Sequence, residues 1–223
     1  MKRTAEVWNE RYSGSDYVYG KLPNVYLKEQ LGKLPVGNIL FVGEGEGRNA
    51  VFAAQVGWNV TAFDISSKAK KKAQQLALEH NVDIKYDVGE LHHLNYENEQ
   101  FDVISLIFTH FPLATRSSIH QILITHLRPG GVIIMESFSK DHITYQAKNS
   151  NAGGPKNINV LYNIEDIKSD FDRLKIIELN KTEVYLSEGA HHDGLSSVIR
   201  FMGKKPLMVK YQVEKNKNEQ QIQ

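Results

Sequence analysis

Three glycines at alternate positions, Gly43, Gly45 and Gly47 in "ILFVGEGEGRNAVFAA" (39–54), follow an apolar run and open a helical pattern. Glycine serves where backbone turns through positive φ or must approach a ligand with no side chain between. A glycine loop between a strand and a helix is a common seat for nucleotides. Seventeen residues past Gly47, Asp64 ends the apolar run "NVTAFD". In an open parallel sheet, neighbouring strand ends share one crevice, so a carboxylate there can accept both hydroxyls of a ribose. The alternatives are a ligand-free tight turn for the glycines and a helix charge partner for Asp64. The spacing is G-x-G-x-G, not the G-x-G-x-x-G of dinucleotide folds, and Glu44 and Glu46 would repel a pyrophosphate. The same charges are tolerable beside a sulfonium or an amino group. A nicotinamide-dependent oxidoreductase and a non-catalytic nucleotide-binding module stand as alternative functions.

The elements that position these residues are legible as alternation. "NILFV" (38–42), "NVTAF" (59–63), "DIKYDV" (83–88), "FDVISLIF" (101–108) and "GVIIMESF" (131–138) have the length, branching and polar boundaries of strands. Between them, Ala69, Ala73, Leu76 and Ala77 recur at helical spacing behind Ser66 or Ser67 as N-cap. Ile119, Ile122, Leu123 and Leu127 mark a second helix that stops at "RPGG". Strand–helix alternation predicts a doubly wound, mostly parallel α/β sheet. After Ser139 the alternation stops. "KDHITYQAKNSNAGGPKNINVLY" reads as a long polar loop, and "RLKIIEL", "TEVYLSEG" and "SSVIRFMGKK" read as strands joined by turns, ending in an antiparallel hairpin. Residues 1–37 read as a helix-and-loop cap, and residues 209–223 as a frayed polar tail.

Composition narrows the classes. The chain has 223 residues, 41% hydrophobic and 24% charged, with a formal net charge of +1. That length suits one domain, 1–208, and the near-neutral balance gives no footprint for nucleic acid or an anionic membrane. There is no membrane-length apolar run and no apolar segment behind the first basic residues, so a cytoplasmic location is expected. The absence of cysteine excludes a thiol nucleophile and a cysteine-ligated zinc. No metal-ligand set is visible at recognisable spacing, and the oligomeric state is not legible.

The series GxGxG, Asp64, "VGEL" (88–91) and "LRPGG" (127–131) resembles the class I S-adenosylmethionine-dependent methyltransferases over roughly residues 38–140. The resemblance implies a Rossmann-like, seven-stranded sheet with a terminal antiparallel hairpin and an N-terminal helical cap. It implies that Gly43, Gly45 and Gly47 approach the methionine half of the cofactor and that Asp64 takes the ribose hydroxyls. Ile65, Glu90 and Leu91 would border the adenine, and Phe108 to His110 the sulfonium. One position departs: the residue two before the first glycine, often acidic in that family, is Phe41, and Glu44 is the candidate substitute. "VWNERYSGSDYVYGKLPNVYL" (7–27) and "GEGRNAVFAA" (45–54) are similar to the tellurite-resistance and thiopurine-methyltransferase-like branch. There, a Trp–Arg–Tyr cap closes over cofactor and substrate. The implied partition is a cap (1–37), a cofactor-binding half (38–140) and a substrate-side loop with hairpin (141–208).

Methyl transfer from a sulfonium needs alignment and desolvation more than acid–base help. The implied acceptor is a small molecule, with a thiol or a chalcogen oxyanion the softest candidates. A harder nucleophile would want a base, for which His110 is best placed. Arg48, just after the glycine loop, is expected either to orient an anionic substrate or to pair with a loop glutamate. Trp8, Arg11, Tyr12 and Tyr19 in the cap could line a pocket or simply pack. His191 and His192 are expected on a solvated hairpin turn, ahead of Arg200 on the last strand, with a substrate contact as the second reading. "NAGGPKN" (151–157) could be a lid or a disordered loop.

Overall fold

The computed structural model describes residues 4–207, so the tail predicted at 209–223 lies outside the described residues. Strands β1 (Asn38–Val42), β2 (Asn59–Asp64), β3 (Lys85–Val88), β4 (Phe101–Ile107), β5 (Leu127–Phe138), β6 (Lys175–Ser187) and β7 (Asp193–Lys204) form one sheet in the order β3-β2-β1-β4-β5-β7-β6. β7 runs antiparallel to β5 and β6, and the other neighbours are parallel. The order runs outward from β1 in both directions. The C-terminal ends of β1 and β4 therefore part around a crevice, the usual ligand position in such sheets.

Both faces of the sheet are covered, which is why its strands are apolar almost throughout. Ile39, Phe41, Val60, Ala62, Val103 and Ile134 enter one core with Tyr26 and Leu27 of α2 (Val25–Leu31) and Ala50 and Ala53 of α3 (Arg48–Gln55). Leu40, Val42, Phe63, Ile104, Leu106 and Met135 enter the other with Leu123 and Ile124 of α5 (Leu113–His126) and Ile167 and Phe171 of α7 (Ile164–Asp170). Each fully buried side chain of this size stabilises by roughly 1.5–3 kcal/mol. A one-residue slip would exchange the two faces of a strand, so register is firmly set. Helix α4 (Ser67–Glu79) starts at Ser66, whose side chain accepts from the Ala69 N–H, and buries Ala69, Ala73, Leu76 and Ala77. Helices α1 (Thr4–Arg11) and α2 precede β1 as a cap. Among the described residues no helix is long and apolar enough to cross a membrane.

Three sequence expectations are corrected. The segment after Ser139 is not one loop: it contains α6 (His142–Lys148) and 3₁₀ turns at Ser150–Ala152 and Ile158–Val160. Buried His142 anchors α6, its Nδ1 accepting from the Ser197 N–H (3.3 Å) and its Nε2 facing the Gly153 carbonyl (3.0 Å). "RLKIIEL" and "TEVYLSEG" are one strand, β6, because pairing runs on through Asn180↔Arg200 and Lys181↔Ile199, with an irregularity only at Ile176/Glu178. β6 lies at the sheet edge, where the polar residues read as a break are tolerated. Finally, α5 ends at His126 and β5 begins at Leu127, so "RPGG" lies inside a strand whose register with β4 shifts between Phe101 and Val103.

Candidate active site

The glycine loop crosses the end of β1 with Gly43, Gly45 and Gly47 at φ of +61°, +67° and +93°. Each glycine has a separate steric reason. A Cβ on Gly43 would lie 2.8 Å from the Thr109 methyl, and one on Gly45 would lie 2.9 Å from the Tyr12 hydroxyl. A Cβ on Gly47 would lie 2.6 Å from Ala73 Cβ, so this glycine lets α3 and α4 meet. Gly47 also N-caps α3 without a side chain, and Glu44 supplies the missing acceptor. Glu44 Oε1 accepts from the Asn49 and Ala50 N–H groups at 2.9 and 2.8 Å. Desolvation pushes its carboxyl up to about 7, against those two hydrogen bonds. Glu46 is buried on the opposite side, accepting from Lys72 Nζ (2.6 Å) and the Val18 N–H (2.7 Å). The two glutamates thus hold the helix and the cap. Phe41 is a core residue beside Tyr26 and Leu27.

Asp64 stands opposite the loop. Its Oδ2 accepts from the Gly45 N–H at 3.0 Å and its Oδ1 from the Ser66 N–H at 2.8 Å. Burial raises its carboxyl to about 6 despite these bonds. Beneath it, the Tyr86 hydroxyl donates to the Gly45 carbonyl at 2.6 Å. Ile65 follows Asp64 and is half-buried, and Leu91 is buried in the core beside Leu94. Glu90 is exposed, with an oxygen 3.5 Å from His92 Nε2.

The cap closes over this loop. Trp8 stacks on Tyr12 (5.5 Å), Tyr12 meets Tyr19 edge-on (6.5 Å), and Tyr19 reaches His192 (4.6 Å). Arg11 lies over Trp8 and donates to the Tyr19 hydroxyl at 3.4 Å. Asn9 Oδ1 ties α1 to the start of α4, accepting from Ser66 Oγ (2.8 Å) and the Lys68 N–H (3.2 Å). Below the cap runs a buried polar network that the sequence did not announce. Arg48 pairs with Glu188 at 2.8 Å, not with a loop glutamate, and Arg200 pairs with Glu136 at 3.2 Å. Asn24 Nδ2 bridges Glu136 (3.1 Å) and Glu188 (3.0 Å), while its N–H donates to Asn49 Oδ1 (2.9 Å). Burial opposes charge on Glu188, but the hydrogen bond from His192 and the Arg48 charge hold it down to about 2. Arg48 and Asn49 therefore clamp the cap to the β6–β7 hairpin.

At the end of β4 the chain turns through Phe108, a non-glycine residue at φ +52°. Such strain costs about 1–3 kcal/mol and is a feature of functional sites. Thr109 Oγ1 donates to the Val42 carbonyl at 2.6 Å, pinning this turn to the glycine loop. His110 comes next, its Nδ1 2.9 Å from the Val160 carbonyl and its ring stacked on Phe138 at 5.9 Å. A carbonyl only accepts, so Nδ1 carries the proton and Nε2 the lone pair. Nε2 is enclosed without a hydrogen-bond partner. Desolvation lowers the His110 pKa to about 4, keeping the ring neutral. Phe108, Tyr162 and His192 complete the wall, their rings 4.6 Å from Phe138, 5.8 Å from His110 and 5.2 Å from Phe138 respectively. His191 is exposed, whereas His192 is buried with Nδ1 3.4 Å from Glu188, which corrects the expectation of two solvated histidines. The "AGGPK" loop packs here too: a Cβ on Gly154 would lie 2.8 Å from the Phe138 ring.

Residues 39–131, from β1 into β5, match a family described as "Methyltransferase domain". The chain has the class I S-adenosylmethionine-dependent methyltransferase fold. The 2-methyl-6-phytyl-1,4-hydroquinone methyltransferase of Synechocystis sp. is 25% identical over 130 residues, 56% of this chain. The match spans only 41% of that relative's length. A protein solved in work on conversion of a disulfide bond into a thioacetal group during echinomycin biosynthesis superposes with a TM-score of 0.74 at 18% identity, covering 93% of this chain and 95% of the other. A S-adenosylmethionine-dependent methyltransferase of Methanosarcina mazei gives 0.63 at 17% (80% and 97% covered), and TehB of Haemophilus influenzae 0.65 at 14% (90% and 66%). At such identities these structures show the fold. S-adenosylmethionine is the cofactor that goes with it.

Proposed function

We propose that this chain is a cytoplasmic enzyme that transfers a methyl group from S-adenosylmethionine to a small-molecule acceptor by in-line displacement. The observation that carries the reading is a convergence at one crevice: a backbone loop that tolerates no Cβ at Gly43 or Gly45, a carboxylate at Asp64, and an aromatic wall with a proton-accepting nitrogen at His110. These residues fit the cofactor. Asp64 accepts from the Gly45, Ser66 and Ile65 N–H groups and keeps further lone pairs for ribose hydroxyls. Ile65 and Leu91 offer apolar contact to the adenine and Glu90 an acceptor at its edge. Gly43 and Gly45 let Thr109 and Tyr12 close on the loop whose backbone would border the methionine half. Gly47 supports the site indirectly, by seating α3 on α4.

Bound, the cofactor supplies an electrophilic methyl group on a sulfur that keeps the bonding pair when the methyl leaves. The protein's part is to align and dry the site, worth several kcal/mol. Trp8, Tyr12 and Tyr19 exclude water from above, and Phe108, Phe138 and Tyr162 from the side. The cap and the Gly-Arg-Asn sequence support placing the chain in the tellurite-resistance and thiopurine-methyltransferase-like branch. A thiol suits the uncharged wall. Arg48 and Arg200 are already paired, so neither is free to receive an oxyanion. Calorimetric titration with S-adenosylhomocysteine, alongside fluorescence titration with NADH, tests the reading. Micromolar binding of the first and none of the second is expected. The reverse would restore the oxidoreductase alternative.

A further inference from the structure

The turn after β3 carries a group of side chains that the methyl-transfer reading uses only in part. Glu90 precedes a single 3₁₀ turn, Leu91–His93, on which His92 and His93 follow one another. Glu90, His92 and His93 are all exposed. One atom from each, a carboxylate oxygen and two ring nitrogens, lies within 4.8 Å of the other two. Glu90 Oε2 stands 3.5 Å from His92 Nε2, and the two imidazole rings have centroids 3.9 Å apart. The linear order Glu-x-His-His matches no familiar zinc spacing. The turn gathers the three, closed by the His93 N–H donating to the Glu90 carbonyl at 2.9 Å.

The backbone beneath them is fixed. Leu91 is buried in the core and Leu94 packs against the same cluster, so apolar anchors stand on both sides of the histidines. The Gly89 N–H donates to the Asp64 carbonyl at 3.0 Å, tying the start of the turn to the end of β2. Ligands on a pre-formed turn give up only side-chain freedom on binding, a smaller cost than ordering a loop around an ion. Tetrahedral zinc ligands, each about 2.0–2.2 Å from the metal, sit about 3.4 Å from one another. The separations here exceed that by at most about 1.4 Å, a distance that exposed side chains cover by changing rotamer.

The donor types select the ion. Imidazole nitrogen suits zinc, copper and nickel, whereas calcium and magnesium take sets of oxygen ligands. We infer that Glu90, His92 and His93 form a surface site for one divalent ion of the zinc class, held by one carboxylate oxygen and one ring nitrogen of each histidine, with water completing the coordination. The second oxygen of Glu90 stays available as the acceptor proposed for the adenine edge. The site stands apart from the methyl-transfer reading, because its three ligands are assembled by the turn alone.

The test uses the full-length chain without an affinity tag, stripped of metal by a chelator, with zinc chloride and magnesium chloride as probes. Calorimetry is expected to show one equivalent of zinc bound with a micromolar Kd and no binding of magnesium. Zinc should move the ring resonances of His92 and His93 in 15N-histidine NMR spectra and leave that of exposed His80 in place. His92→Ala and His93→Ala should each weaken zinc binding by more than about tenfold, because losing even a residue that merely supports a metal ligand costs that much. Glu90→Gln should weaken it as well, and His80→Ala should not. The ligands are exposed, so these variants should melt with the wild type, and the wild-type resonances give a second readout that needs no variant. Absence of zinc binding would overturn the inference. So would affinity unchanged in the His92→Ala/His93→Ala double variant, resonances that move only at other histidines, or magnesium bound as tightly as zinc.

Discussion

Replacing Asp64 with Asn separates its two roles, in the empty fold and in the occupied site. In the ligand-free protein its carboxyl titrates at about 6 instead of 3.8, because burial outweighs the hydrogen bonds from Ser66, Gly45 and Ile65. About two pKa units at about 1.4 kcal/mol each make the ionised group a cost of ~3 kcal/mol to the fold at neutral pH. The sign follows from linkage. The penalty is absent below pH 3.8, grows as pH rises towards the folded value of about 6, and is complete above it. Asn removes the charge but turns an NH2 towards backbone N–H groups that the carboxylate accepted from, a loss of about 1–3 kcal/mol. The two changes nearly cancel, so the melting temperature of Asp64→Asn at pH 7.5 should lie within a few degrees of wild type. Cofactor affinity should not be spared. Losing charged acceptance of ribose hydroxyls removes about 1.5–3 kcal/mol, a weakening of about 10- to 150-fold in the dissociation constant for S-adenosylhomocysteine. Differential scanning fluorimetry and calorimetry on the same sample read both quantities. An unchanged dissociation constant in a folded variant would refute the role given to Asp64.

Other outcomes follow from the same geometry. Binding of S-adenosylhomocysteine at pH 5.5 should release protons, because hydroxyl donors favour the ionised form of a carboxyl that titrates at about 6 when ligand-free; calorimetry in buffers of different ionisation enthalpy would show it, and proton uptake would contradict it. Gly47→Ala places a Cβ against the Ala73 backbone, 2.7 Å from its Cα, at φ +93°. Strain and overpacking of about 1–3 kcal/mol each should lower the melting temperature by roughly 5–20 °C, and a neutral result would show that α3 and α4 can separate freely. Glu188→Gln leaves the buried Arg48 guanidinium uncompensated and should cost about 3–5 kcal/mol in chemical denaturation, part of which the double variant Arg48→Met/Glu188→Leu should recover.

The sequence was most readable where one physical rule acts alone. Short, branched apolar runs with polar boundaries in 38–42 and 59–64 specify strands whose two faces both meet a core, and helical spacing in 67–79 specifies a helix with one buried face. The glycines were readable as glycines, but not the reason for each: Gly47 answers to Ala73, a residue on another helix. Glu44 looked like a loop charge facing a ligand and is the N-terminal acceptor of α3, because Gly47 has no side chain to do that work. Arg48 read as a substrate-orienting group or a partner of a loop glutamate, because its actual partner Glu188 lies 140 residues away on β6–β7 and no local pattern encodes that pairing. His192 differs from exposed His191 only through the turn that aims one ring at Phe138. Polar residues broke the sequence pattern at Asn180–Lys181 but not the strand, whose ladder depends on backbone groups that every non-proline residue supplies.

On the proposed function, the glycine loop and Asp64 receive the nucleoside of S-adenosylmethionine. A crystal structure of the S-adenosylhomocysteine complex tests it most directly. Both ribose hydroxyls should donate to Asp64 at about 2.7 Å, with the homocysteine chain crossing Gly43 and Gly45 beneath Tyr12. A ligand seated elsewhere, or ribose hydroxyls that do not meet Asp64, would contradict it.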